Sequence, residues 1–429
     1  MISYFVRRSN NEDANCNFVL EVGKNLVIRY ADFEKVFGSL TSLEEDLLLL
    51  SASVFAADRA TKRGEREDIA RRIELQIPVV NSLRLQPLTI KIEEVLRHLS
   101  NDAWRIKFRQ VPGAPEKDVK FTEGNGRTLL FSGGLDSLAA AIEFGEQDKM
   151  LQLVSHKTRN QITDQAQKKL VTSLKNHGLD LPHHQFFVSS RDGGPSGLKH
   201  AEESSQRTRS FLFLVLGALA ARRAGHHEVV YLAENGQMAI HLPLTQARIG
   251  AFSTHTAHPD ILVGMEEFLS SALSVPFNIS NPYVHLTKAE VVKKVIDVSK
   301  DIILIANSCW RSARIPKDFT HCGECIPCFI RRIAIEFSMS EDLTAYYKDC
   351  WIEDIGRLGP EDIGRRNIVD LTEFIVQIDE LSPEDIMSKW PDLYSLNFDE
   401  NEVIAMYKRF SKEARTVLNR YSALAPYLL

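Results

Sequence analysis

The chain has 429 residues, 44% of them hydrophobic and 25% charged, with a formal net charge of −5; that length builds two or three domains with buried cores. The acidic balance excludes a polycationic protein, so nucleic acid is not indicated by charge, although local patches stay open. The longest apolar run, Phe211 to Ala221, is too short for a membrane span, the start does not read as a secretory leader, and six cysteines, mostly clustered, do not make a secreted disulfide scaffold, so a soluble cytoplasmic protein with no membrane partner is expected.

Residues 1–111 read as an N-terminal α+β domain. Ser42-Leu43-Glu44-Glu45 fits a capping box that opens an apolar helix through Ala57. Arg72 to Ile77 and Trp104 to Arg109 alternate polar and apolar residues, the pattern of half-buried strands. The second strand lines up Arg105, Lys107 and Arg109, a row that fits a solvated face or a partner-binding one. Val111-Pro112-Gly113-Ala114-Pro115-Glu116-Lys117-Asp118 has two prolines, a glycine and no periodicity, which marks a linker and the first boundary.

Beyond it, apolar strands at Thr128–Phe131, Leu151–Ser155, Gln185–Ser189, Val229–Ala233 and Ile302–Ala306 alternate with helices near 135–145, 161–176, 208–224 and 288–299. Such alternation predicts an α/β fold, a parallel doubly wound sheet covered by helices on both faces, with ligands outside the carboxyl ends of the strands. The first strand runs into Ser132-Gly133-Gly134-Leu135-Asp136-Ser137 and then an alanine-rich helix. A glycine turn at a helix N-terminus suits a phosphate chain, because unpaired N–H groups point outward and no Cβ blocks approach. Ser132 and Ser137 add hydroxyl donors, and Asp136 would repel phosphate without a divalent cation between them, which argues for Mg²⁺.

Ser-Gly-Gly-Leu-Asp-Ser resembles the PP-loop of the N-type ATP pyrophosphatases, which adenylate an oxygen of their substrate and release pyrophosphate. It is not a Walker A loop, since no Gly-Lys-Ser/Thr follows the glycines. The resemblance implies a fold like the adenine nucleotide alpha hydrolases and nucleotide contacts after the second strand, at Ser155 and His156, with Lys157 beside them. It also points to Arg209, at the start of a helix, as an arginine near the ATP phosphates. Glu234, before Asn235-Gly236, is a carboxylate at a strand's carboxyl end; it fits a Mg²⁺ ligand, a contact to a polar substrate edge, or a turn residue. The glycine-rich Ser190–Gly197 reads as a cover or substrate loop, and Ser253–Pro259, with His255 and His258, as a substrate-lining loop rather than a metal pair. Thr287-Lys288-Ala289-Glu290 is a second capping box.

Cys309 and, thirteen positions on, Cys322-Gly323-Glu324-Cys325-Ile326-Pro327-Cys328 form a second strong pattern. Three cysteines at this spacing hold one ion only with a fourth ligand, and Cys309 is the natural donor; a closed four-thiolate shell implies structural Zn²⁺. His321 or Cys350 as fourth ligand, or an iron–sulfur cluster, are the alternatives.

A PP-loop followed by Cys…Cys-Gly-x-Cys-x-x-Cys-x-x-Arg, with Thr-Lys-Ala-Glu upstream, is similar to the QueC family of 7-cyano-7-deazaguanine synthases over about residues 121–337. That resemblance implies ATP, Mg²⁺ and Zn²⁺ as cofactors, activation of the carboxylate of 7-carboxy-7-deazaguanine, and Lys288 as a second cation facing the site. The chain departs from the family in its strand-four string Ala-Glu-Asn-Gly-Gln and in its added segments, so the domains expected are 1–111, the PP-loop ATPase domain 119–340 and a helical extension 341–429. Ala57-Asp58-Arg59 and Arg72-Ile73-Glu74-Leu75-Gln76-Ile77-Pro78, ahead of such a core, resemble QatC of the Qat antiphage defence group. In that branch the resemblance implies transfer to an amine on a partner protein of a defence operon, at its N-terminus, instead of to ammonia. The C-terminal extension shows three helical stretches, one opened by Ser382-Pro383-Glu384-Asp385 and one long and amphipathic from Phe398 to Tyr421. Two competing readings are a PP-loop tRNA-modifying enzyme, which would need a free catalytic cysteine and a basic face, and a non-catalytic defence-complex subunit.

Overall fold

In the computed structural model, residues 1–8, 18–63, 70–113, 126–147, 150–190, 205–225, 230–245, 256–352 and 355–428, with Gly124 and Glu203, are described. The expected linker after Gly113, Arg191–Gly197 of the glycine-rich loop, and Ser253, Thr254 and His255 of the expected substrate-lining loop lie outside them.

Strands β1 (Ile2–Arg7), β2 (Phe18–Glu21), β4 (Arg72–Val79) and β5 (Ala103–Gln110) form a parallel sheet in the order β2-β1-β4-β5. β3 (Leu26–Ile28) leaves it and pairs antiparallel with β8 (His183–Ser190), at the edge of the central sheet. The N-terminal residues therefore share a sheet, and a continuous core, with the central part of the chain. Around them stand α1 (Tyr30–Phe37), α2 (Ser42–Ala60), α3 (Ser82–Leu85) and α4 (Thr89–Ser100). Of the row on β5, Arg105 and Lys107 are exposed, Lys107 pairing with Glu74 at 2.9 Å, while Arg109 lies over the Phe5 ring.

α2 is capped one residue earlier than the sequence pattern indicates. Thr41, not Ser42, accepts from the Glu44 N–H at 3.3 Å, and Glu44 accepts in return from the Thr41 N–H at 2.8 Å. Glu44 also takes Arg223 Nε at 2.7 Å from the end of α7 (Arg209–Arg223), while Asp58 at the far end of α2 accepts from Thr208 N and Oγ1, both at 3.0 Å. The two helices thus run antiparallel, clamped at both ends by buried carboxylates. Between the clamps lies the apolar run Phe211–Ala221, buried throughout. A Cβ on Gly217 would collide with Leu130, so glycine is what lets α7 sit tight on the sheet.

The central sheet has the order β10-β9-β6-β7-β8-β3, with β6 (Arg127–Leu130), β7 (Leu151–Lys157), β9 (Val230–Tyr231) and β10 (Ile279–Ser280); all its pairs except β3–β8 are parallel. Alternate residues point to opposite faces. Leu130 and Val154 pack with α7 and α2, whereas Leu129, Phe131, Leu151 and Leu153 pack with α5 (Leu135–Gln147), α6 (Gln161–Asn176) and α10 (Lys288–Ile296). Helices cover both faces, which is why these parallel strands read as continuous apolar runs. The short helix α8 (Gly236–Ile240) and the longer α9 (Pro259–Leu273) stand between β9 and β10 in the chain. Among the described residues no helix is long and apolar enough to cross a membrane.

Ile302–Ala306 is not a strand. Asp301–Leu304 is a 3₁₀ turn whose isoleucines are buried, and the fully buried Arg331 takes the carbonyls of Ile303 at 2.8 Å and Ala306 at 3.2 Å. With those acceptors occupied, no ladder forms, and the sheet edge falls to β10 instead. α11 (Ile326–Met339) carries Arg331, and the C-terminal helices α12 (Ile363–Glu380), α13 (Pro383–Lys389) and α14 (Glu400–Leu418) build their own core against it.

Candidate active site

The carboxyl ends of β6, β7 and β9 face one edge of the sheet, and the polar residues gather there. Gly133 has φ +85°, a left-handed conformation that turns the chain from β6 into α5. Its carbonyl accepts from Asn307 N at 2.9 Å, and the Ser132 carbonyl accepts from Gln167 Nε2 at 3.1 Å. Ser137 donates its hydroxyl to the Gly134 carbonyl at 3.1 Å and lies 3.2 Å from Ser132 Oγ. The loop is thereby held from three sides, and the first-turn N–H groups of α5 lack intrahelical partners by position.

Asp136 is the hub. Its Oδ2 accepts from Lys288 Nζ at 2.8 Å and from Asn235 Nδ2 at 3.1 Å. Lys288 is nearly buried and is the first residue of α10; its own N–H is held by Gln237 Oε1 at 3.1 Å. So the structure brings together the PP-loop aspartate, the residue after Glu234 and the capping-box lysine, three points far apart in the chain. Asp136 Oδ1 and Asn235 Oδ1 are both buried with no hydrogen-bond partner. Glu234 stands beside them, its carboxyl pushed up to about 8 by burial first and then by the Asp136 charge, with Lys288 opposing. Two orphaned oxygens and a carboxylate that resists ionisation until a cation arrives form a hard-oxygen set that fits Mg²⁺. Asn235, legible only as a turn residue, is the member the sequence pattern misses; its clue is a carboxamide at the end of a strand.

A titration follows from Glu234. Its pKa in the fold lies above the ordinary 4.5, so the unfolded chain loses that proton first and stability falls as pH rises between about 4.5 and about 8. Chemical unfolding at pH 5 and at pH 8 should show Glu234→Gln losing less stability across that interval than the unaltered chain; equal losses would refute the assignment.

His156 and Ser155 lie within β7, not in a loop beyond it. Ser155 is fully buried: its hydroxyl donates to the Phe131 carbonyl at 2.5 Å and accepts from His183 Nε2 at 2.8 Å, tying β6, β7 and β8 together. His156 Nε2–H donates to the Val188 carbonyl at 2.9 Å, which leaves Nδ1 as a buried lone pair without a partner. Burial, then the Arg209 charge, lowers His156 to about 3, so it is neutral. Arg209 opens α7 beside it, its guanidinium pKa lowered by burial and by Arg59. Arg209 and His156 form a second cluster that shares no hydrogen bond with the Asp136 group among the described residues. His258 caps α9, its Nδ1 accepting from Asp260 N at 3.3 Å.

The Sγ atoms of Cys309, Cys322, Cys325 and Cys328 lie within 4.8 Å of one another, all buried. Cys322–Cys328 and Cys325–Cys328 separations are 3.8 and 3.4 Å. Zinc–sulfur bonds of ≈ 2.3 Å give a tetrahedron with edges of about 3.8 Å, so the cluster fits Zn²⁺. Backbone N–H groups of Arg311 and Cys322 point at Cys309 Sγ, both at 3.3 Å, the donors a thiolate needs. Neither alternative ligand belongs to the group: His321 Nε2 accepts from Ser308 N at 3.2 Å, and Cys350 packs in the C-terminal core.

Residues 127–338 match the family model of QueC, described as queuosine biosynthesis protein QueC. They form a QueC-like domain. The match contains the PP-loop, Asp136, Glu234, Lys288 and all four clustered cysteines. It supports an ATP-using enzyme with a small-molecule substrate of the deazaguanine type. No curated protein matches the chain. α2 and α14 lie outside the QueC-like domain, yet both pack against it.

Proposed function

We propose that the QueC-like domain adenylates the carboxylate of 7-carboxy-7-deazaguanine or a related small molecule. A carboxylate oxygen bonds to the α-phosphorus of ATP as pyrophosphate leaves; an amine then takes the acyl carbon, losing a proton, and AMP departs. The observation that carries this reading is Asp136, set in the first turn behind a Ser-Gly-Gly loop and holding Lys288 and Asn235 on one oxygen. Ser132, Gly133, Gly134 and Ser137 bind the phosphates. Asp136, Asn235 and Glu234 would hold Mg²⁺, which when bound would neutralise charge at the triphosphate. Lys288 and Arg209 place fixed positive charge where negative charge develops on the departing pyrophosphate. Positioning the amine against the activated carbon supplies much of the remaining rate. Cys309, Cys322, Cys325 and Cys328 would hold Zn²⁺ in a closed four-thiolate shell, where it would serve structure and not catalysis.

The acceptor in this reading is an amine of a partner protein, its N-terminus, within an antiphage defence system. That part rests on the likeness of Ala57-Asp58-Arg59 and Arg72–Pro78 to QatC. The QueC match itself favours a second acceptor, ammonia, with 7-cyano-7-deazaguanine as the end product. Mass spectrometry after incubating the enzyme with ATP, Mg²⁺, 7-carboxy-7-deazaguanine and candidate partner proteins separates the two. A mass increment at a protein N-terminus is expected; free nitrile with every protein unmodified would overturn transfer to protein.

A further inference from the structure

The residues that meet at Asp136 belong to the QueC-like domain, but what holds two of them in place does not. Lys288 is the first residue of α10, and both halves of that helix's capping box are gripped by α14. Thr287 accepts from the Glu290 N–H at 3.2 Å and donates its own hydroxyl to Glu413 at 2.7 Å. Glu290 accepts from the Thr287 N–H at 2.7 Å, and Arg409 pairs with the same carboxylate at 2.9 Å. Arg409 and Glu413 are four positions apart, one turn, and so share a face of α14.

The same helix also reaches α8. The buried Tyr407 hydroxyl accepts from Leu242 N at 3.2 Å and lies 3.5 Å from the Gln237 carbonyl. Met406 fills the space beside Gly236 so closely that a Cβ there would collide with it. α8 begins directly after Asn235, and its Gln237 holds the Lys288 N–H. One helix outside the matched domain therefore sets the two segments that carry Asn235 and Lys288 to Asp136.

We infer that α14 is a positioning element of the site, acting through Glu413 on Lys288 and through Tyr407 on Asn235. Packing alone would not need it: an apolar residue at 413 would bury as well, and a carboxylate in that place has value for the direction it gives the Thr287 hydroxyl. The inference rests on the reading of Asp136 and Lys288 as the site for Mg²⁺ and ATP.

The test uses the full chain and reads calorimetric affinity for Mg²⁺·ATP beside thermal unfolding. Glu413→Leu should weaken binding about tenfold, as loss of an outer partner of a metal site does. Glu413→Gln, whose carboxamide oxygen still accepts from Thr287, should restore affinity to within about twofold. Tyr407→Phe, which removes one oxygen from a packed ring, should weaken binding without shifting the melting temperature by more than about 4 °C. Unaltered affinity in Glu413→Leu overturns the inference; should that variant fail to fold, unaltered affinity in Tyr407→Phe does so. A wild-type chain that binds Mg²⁺·ATP but never forms AMP overturns the proposed reaction and leaves the inference standing.

Discussion

Asp136→Asn should lower ATP-dependent pyrophosphate release by about 10³-fold or more, since on the proposed mechanism it removes a cation ligand and the anchor of a charge-stabilising lysine together. The fold should survive. Lys288 is only 7% exposed, and a buried ammonium stripped of its partner ordinarily costs about 3–5 kcal/mol. Here a replacement stands ready. The carboxamide oxygen of the substituted side chain still accepts from Lys288 Nζ, and loss of the Asp136 charge moves the Glu234 carboxyl down from about 8, toward its ordinary range, against the burial that mainly raises it. The expected loss of stability near pH 7 is therefore small, about 1–2 kcal/mol, the ordinary range for a single substitution. Pyrophosphate assay and chemical unfolding of the same preparation check both halves. Turnover within tenfold of wild type in a folded Asp136→Asn would remove Asp136 from the mechanism.

Cys325→Ser should empty the cysteine cluster, taking metal content from about one ion per chain to near none. Three thiolates and a hydroxyl no longer make the tetrahedral shell that zinc prefers. Structural metal binding is folding free energy, so stability should drop by on the order of 4 kcal/mol or more. The damage should also reach the nucleotide. Asn307 N holds the Gly133 carbonyl, and Asn307 Oδ1 accepts from Cys309 N at 3.0 Å, so the segment that braces the PP-loop runs directly into the first cysteine. ATP affinity should fall with the metal. Elemental analysis that finds zinc unchanged in Cys325→Ser would refute the four-cysteine site.

Local signals are legible where one interaction dominates. The run of Leu129, Leu130 and Phe131 ahead of two glycines marks a strand entering a turn, and the structure places β6, Gly133 at positive φ and α5 in that order. The cysteine spacing is equally plain, and the structure gathers the four thiols it picks out. Thr287 and Glu290 cap α10 as their spacing requires. Legibility ends where distant partners decide. Ile302–Ala306 has the apolar run of a strand, but Arg331, further along the chain on α11, takes its carbonyls. β3 looks local to the N-terminal segment and instead pairs with β8 across the chain. Asn235 beside Gly236 reads as a turn, and only the meeting of β9 with β6 reveals it as a partner of Asp136. Ser155 and His156 read as loop residues because the end of β7 carries polar side chains, which are satisfied inside the sheet. In each case a polar group finds its partner through topology that no window of sequence contains.

The most direct test of the central claim tracks one oxygen. 7-Carboxy-7-deazaguanine labelled with ¹⁸O in its carboxylate is incubated with the enzyme, ATP, Mg²⁺ and an amine, and the nucleotide products are read by mass spectrometry. Adenylation predicts AMP and pyrophosphate, with one labelled oxygen carried from the carboxylate into the AMP phosphate. ADP with inorganic phosphate, or AMP whose new oxygen comes from water, would contradict it.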